Sequence, residues 1–200
     1  MRLQLGLIVI GILFLKPATA SEVTDDSFRC ILKMSQVGHI YVDNLMGNIE
    51  QTLAVAKNPN GGDYPEGSLL QQTPTEAMVK RAEGFNPATN DWEFFTLQPS
   101  SGTLTIQQRG GSEVTNADGD SCAGCHAQAS PEWDMTCGAH SDCTPLRLTR
   151  HQMRMAAIFD GRCDQGTASK TRNERMFFLQ HRLAEDLVQD FSKEPQEDQP

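Results

Sequence analysis

"EAMVKRAEGFNPATNDWEFFTL", residues 76–97, decides how this chain folds. Two apolar-rich runs flank a Gly-Phe-Asn-Pro turn. In "DWEFFTL" apolar and polar positions partly alternate. In a strand, successive side chains point to opposite faces, so Trp92 and Phe94 share one face while Glu93 and Phe95 share the other. Working outward, further runs lie at 68–72, 77–82, 91–98 and 103–109, with turn chemistry in "EGFNPATN" and "PSSG" between them. The pattern predicts an antiparallel sheet over 66–110.

The flanks read differently. In residues 27–57, Phe28, Ile31, Leu32 and Met34 recur at helical spacing, and so do Val42, Leu45, Ile49, Leu53 and Val55. A helix in two pieces is expected there, with Gly38 and Gly47 as breaks. "KNPNGGDYPEG" holds two prolines and three glycines and must be loop. Towards the C-terminus, "TPLRLTRHQMRMAAIF" and "TRNERMFFLQHRLAEDLVQDF" read as helices. The second opens on a capping box, Thr171 with Glu174. The tail "SKEPQEDQP" is polar and acidic and is expected to be disordered.

The first twenty residues, "MRLQLGLIVIGILFLKPATA", carry an early arginine, an apolar run from Leu5 to Leu15 and an Ala-Thr-Ala end. This is the pattern of a secretory signal peptide cleaved after Ala20. The run is too short to cross a bilayer, which needs about twenty apolar residues. Export to a periplasmic, oxidising compartment is the expectation. Losing Arg2 and Lys16 takes the net charge from −9 to −11. So acidic a chain is a poor match for nucleic acid or anionic lipid, and no nucleic-acid partner is expected. All six cysteines, Cys30, Cys122, Cys125, Cys137, Cys143 and Cys163, survive cleavage and can pair.

"SCAGCHA", residues 121–127, carries the chemistry. C-x-x-C-H is the attachment signature of a c-type haem. Each sulfur adds across one vinyl group, and the adjacent histidine ligates the iron. Small Ala123 and Gly124 let the backbone pass close to the macrocycle. Three other readings stand beside it. Zinc needs a second ligand pair, and "CGAHSDC" is not a C-x-x-C knuckle. A redox pair would follow a strand, whereas "GGSEVTNADGD" is loop. A structural disulfide is the third. With haem, His126 is the proximal ligand, and a second axial ligand would come from Met135, His140, His151, Met153 or Met155. None stands in the loop context of a Met-ligated small cytochrome c.

The order of helix, "YPEGSLL", "EAMVKRAEGFNPATNDWEFFTL" and a late "SCAGCHA" resembles the cytochrome P-460 family and its relative cytochrome c′-beta, over roughly residues 25–136. The resemblance implies an α+β fold: an antiparallel sheet flanked by helices, as a homodimer. It carries one haem c held by Cys122 and Cys125, with His126 on the iron and an open distal side. It also implies a small nitrogen-oxide or hydroxylamine ligand and a soluble redox partner. One branch of the family oxidises hydroxylamine and bonds a lysine to the haem edge, with a distal carboxylate moving protons. The other has an apolar pocket and binds nitric oxide. The lysine candidates are Lys57 and Lys80. The carboxylate candidates are Glu76, Glu83 and Glu93, with Glu93 beside aromatics. Phe85, Phe94 and Phe95 are candidates for the pocket wall. A six-coordinate electron-transfer cytochrome c is the alternative.

The expected organisation is a signal peptide at 1–20, a haem domain at 21–136, a helical extension at 137–192 and a tail at 193–200. That extension departs from the family, which ends soon after the haem motif. After haem attachment four cysteines remain, which allow three connectivities. Cys137 with Cys143 would close a small loop, and Cys30 with Cys163 would tie the extension to the first helix.

Overall fold

The computed structural model describes residues 22–100, 102–137, 143–144 and 148–163. The expected signal peptide, the helix predicted over 171–191, the tail and His140 lie outside the described residues.

Six strands form one antiparallel sheet in chain order: β1 (Ser35–Val37), β2 (Ile40–Asn44), β3 (Ser68–Gln71), β4 (Glu76–Lys80), β5 (Trp92–Ser100) and β6 (Thr103–Gly110). Among the described residues three α-helices accompany it: α1 (Ile49–Ala56), α2 (Cys122–His126) and α3 (Arg150–Ile158). The sheet predicted over 66–110 is present, with the centre of β5 paired to β4 as Met78↔Phe94 and Ala77↔Phe95.

The expectation of helix from residue 27 onward is corrected. Residues 35–44 form the β1–β2 hairpin, with Val37 opposite Ile40 and Gly38-His39 as the turn. Gly38 has a φ of +60°, which suits a tight hairpin. Val37, Ile40 and Val42 are β-branched, and Tyr41 is aromatic, so strand packing outweighs the apparent helical spacing. In this region Ile49–Ala56 is α-helix and Ile31–Lys33 forms a single 3-10 turn.

Both sheet faces are covered, which is why β3 is buried at all four positions. One face packs Leu69, Val79, Phe95 and Leu97 against Phe28, Ile31 and Met34 of the N-terminal segment and Ala157 of α3. Phe28 and Phe95 meet edge to face at 5.1 Å. The Cys30–Cys163 disulfide ties these covering segments together. Beside it the buried Asp160 carboxylate accepts the Ile31 amide at 2.9 Å and the Arg162 guanidinium at 2.8 Å. The Cys137–Cys143 disulfide closes a short loop. Cys122 and Cys125 remain free thiols.

The opposite face packs Val42, Leu70, Met78, Trp92 and Phe94 against Tyr64, Val114 and Ala123, with Ile49, Leu53 and Val55 of α1 alongside. Of the described extension, α3 packs through Ala157 on the face away from the Cys-His motif, while Cys137 lines the motif's cavity and Thr144 bonds Gln128 just beyond the motif.

Candidate functional site

The loop after β6 returns the chain to the sheet. Asn116 Oδ1 accepts the amides of Asp118 and Asp120, at 3.0 and 2.8 Å, which tightens the turn. A bridge between Thr115 and Ser121 and the bond from the Cys122 amide to the Val114 carbonyl then dock the motif. Ser121 caps α2, its hydroxyl accepting the Gly124 amide at 3.1 Å. Cys122, Cys125 and His126 all reach one cavity of about 450 Å³, within the roughly 300–1,000 Å³ of small-molecule and cofactor sites.

The cavity lies between the Trp92/Phe94 face of the sheet and the segments that cover it. Leu70, Met78 and Phe94 line its sheet side, Val55 and Ala56 come from α1, and Tyr64 and Trp133 come from loops. The Phe94 and His126 rings are 5.2 Å apart. Polar groups at the wall include Glu76, Gln71, His39 and Lys57.

His126 is held in one tautomer. Its Nδ1 lies 2.7 Å from the Met135 carbonyl oxygen, which can only accept, so Nδ1 carries the proton. Nε2 is left with its lone pair. Burial lowers the imidazole pKa against the opposing effect of that hydrogen bond, which favours the neutral ring. A neutral imidazole with its other nitrogen donating to a carbonyl is the arrangement of a metal-ligating histidine.

The two thiols are poor nucleophiles. Burial, then the charge of Glu76, pushes Cys122 up to about 11. Burial also raises Cys125, helped by Asp120 and Glu76. Reactive disulfide-exchange cysteines have lowered values, so these thiols do not fit a redox pair. Zinc fits no better. Among the described residues, the one cluster of His, Cys and carboxylate ligand atoms within 4.8 Å of one another is Cys30, Asp160 and Cys163, whose sulfurs are already bonded together.

The other predicted residues divide sharply. Glu76 lines the cavity, on the same strand face as Met78, and burial followed by the Asp118 charge raises its pKa. Lys57, exposed at the end of α1, also lines it. Lys80 is drawn into an ion pair with buried Asp134 at 2.7 Å. Glu93 lies on the far face of the sheet, as its alternation with Phe94 requires. There Arg109 bonds it at 2.7 Å and Arg81 approaches at 3.5 Å. Glu83 and Phe85 are exposed in the β4–β5 turn, with the Arg81 guanidinium 5.3 Å from the Phe85 ring centre. Met153 and Met155 are buried in α3 and do not line the cavity.

Sequence reasoning missed His39, Tyr64 and Asp134, and it took Met135 as a candidate axial ligand, whereas its backbone carbonyl is the partner of His126 Nδ1. His39 was absorbed into a presumed helix, and Asp134 is one acid among 26 acidic residues. No family model, curated protein or solved structure matches this chain.

Proposed function

We propose that this chain is an exported c-type cytochrome of the cytochrome P-460 type, holding one haem c and acting on nitric oxide or hydroxylamine. The observation that carries the reading is His126 fixed as the Nδ1–H tautomer at the wall of an apolar cavity. Beside it are the two cysteines left out of the disulfides. Cys122 and Cys125 would hold the group as thioethers, and His126 Nε2 would ligate its iron. When bound, the haem supplies an iron that takes up a small nitrogen ligand and accepts or passes on its electrons.

The chain's own residues then divide the remaining work. Leu70, Met78 and Phe94 keep the cavity apolar and exclude water. Glu76, held protonated to higher pH than an ordinary glutamate, can give or take a proton at its carboxyl. Lys57, at the cavity wall, would be the lysine open to a bond with the haem edge, whereas the Lys80 ammonium is committed to Asp134. A homodimer, periplasmic residence and a soluble redox partner belong to the same reading.

One observation favours a second reading, a six-coordinate electron carrier. His39 lines the same cavity, and burial lowers its pKa, which favours a neutral, ligating ring.

The test is the optical spectrum of the protein expressed with haem-attachment machinery, reduced, with and without carbon monoxide. The proposal expects a high-spin haem that responds to carbon monoxide. A Soret band far to the red of ordinary c haem adds the lysine bond and hydroxylamine chemistry. A low-spin spectrum unmoved by carbon monoxide would favour the electron carrier, and a colourless protein would end the haem reading.

A further inference from the structure

We infer that the buried Lys80–Asp134 pair is a positioning device for His126, acting through the Met135 carbonyl. The inference rests on the haem reading for its function and on hydrogen-bond geometry for its existence.

The segment after α2 is forced into an uncommon shape. Asp134 and Met135 are consecutive non-glycine residues with φ of +47° and +56°, a region that persists only where surrounding structure over-determines it. What determines it here is a convergence of donors. The Asp134 carboxylate, its side chain fully buried, accepts the Lys80 ammonium at 2.7 and 2.9 Å and the Tyr64 amide at 2.8 Å. It also accepts the Asn90 side-chain amide. Trp92 Nε1 donates to the Asp134 backbone carbonyl at 2.8 Å. One residue on, the Met135 carbonyl accepts the His126 Nδ1–H.

The same turn is clamped from a second side. The Gly62 amide donates to the Glu132 carbonyl at 2.7 Å. Gly61 has a φ of +75°, and a Cβ there would collide with that carbonyl.

A buried ion pair is weak evidence for stability, since apolar residues of the same volume often do as well. This pair has a different consequence. It fixes the peptide that presents an acceptor to the imidazole, and an acceptor on Nδ1–H orients the ring and raises the basicity of Nε2. Lys80 is thus a positioning residue one layer behind the ligand, and its charge serves the turn.

The test is resonance Raman spectroscopy of the reduced haem protein, reading the iron–histidine stretching band in wild type, Lys80→Gln and Trp92→Phe. The inference predicts a downward shift of the band in Lys80→Gln, as the Met135 acceptor loosens, and a smaller one in Trp92→Phe. Covalent haem content should stay unchanged. If Lys80→Gln fails to fold, the double variant Lys80→Met/Asp134→Asn, which removes the pair without leaving a buried charge unpaired, decides in its place. An unmoved band would overturn the inference while leaving the haem reading intact. If the purified protein carries no haem, that reading falls, and imidazole ¹⁵N shifts decide the inference separately. A protonated Nδ1 in wild type that becomes a tautomer mixture in Lys80→Gln or Lys80→Met/Asp134→Asn supports it, and an unchanged tautomer overturns it.

Discussion

The two faces of the sheet are built from the same strands and do opposite things. On one, Phe95, Leu69 and Val79 meet the N-terminal segment and α3 in a closed packing, stapled by Cys30–Cys163. Glu93 on that face is neutralised by two arginines. On the other, Trp92, Phe94, Leu70 and Met78 meet α1 and α2 around a cavity of about 450 Å³ with two unpaired thiols and a half-buried histidine. A one-residue step along β5 moves a side chain from the closed face to the cavity face. The difference teaches that a carboxylate's neighbours in sequence do not decide which face it reaches. Glu93 has aromatics on both sides and faces away, while Glu76 has none adjacent and reaches the cavity.

Breaking the closed face should cost stability and spare the cavity. The largest effect is expected from removing Cys30–Cys163. It links residues 133 apart, and a loop of that length corresponds to about 5 kcal/mol in the chain-entropy picture. Denaturant unfolding of Cys30→Ser/Cys163→Ser should show it, with the spectrum of the cavity side unchanged. Next, Leu69→Ala empties a fully buried position on the same face and should cost about 2–5 kcal/mol. A spectral change of the same size in either variant would mean that the faces are not independent.

On the cavity face the expected effect is smaller and depends on pH. The folded pKa of Glu76 is raised from 4.5, with burial the main cause. Its contribution is therefore fully present below the unfolded value and is lost as pH rises through the folded one. Glu76→Gln removes that loss. Its melting temperature should match wild type in acid and exceed it increasingly as pH rises through the folded pKa, and a pH-independent difference would contradict the assignment. Smallest of all, Phe85→Ala sits 47% exposed in the β4–β5 turn. It should change stability by no more than about 0.5 kcal/mol and leave ligand binding alone.

Most of the sheet was legible because period-2 alternation in "DWEFFTL" and the turn residues around it are local signals. Both disulfides were reachable by counting, once the Cys122–Cys125 pair is set aside for the motif. The β1–β2 hairpin was not legible, because Met34, Val37, Ile40 and Val42 can be threaded on either period. Only the pairing of β2 with β3, Val42 opposite Leu70, settles the choice. In the site, Cys122, Cys125 and His126 could be read from their spacing alone. The Lys80–Asp134 pair spans 54 positions and His39 reaches the cavity from the far end of the sheet. Contacts made by strand register leave no local trace in composition or spacing.

The most direct test of the central claim, that the cavity face carries a covalently held haem, is mass spectrometry of the denatured, unreduced protein after alkylation. The account predicts a chain heavier by one haem, the added mass on the peptide containing Cys122–His126, and no alkylated cysteine. A chain of unmodified mass that takes up two alkyl groups at Cys122 and Cys125 would contradict it.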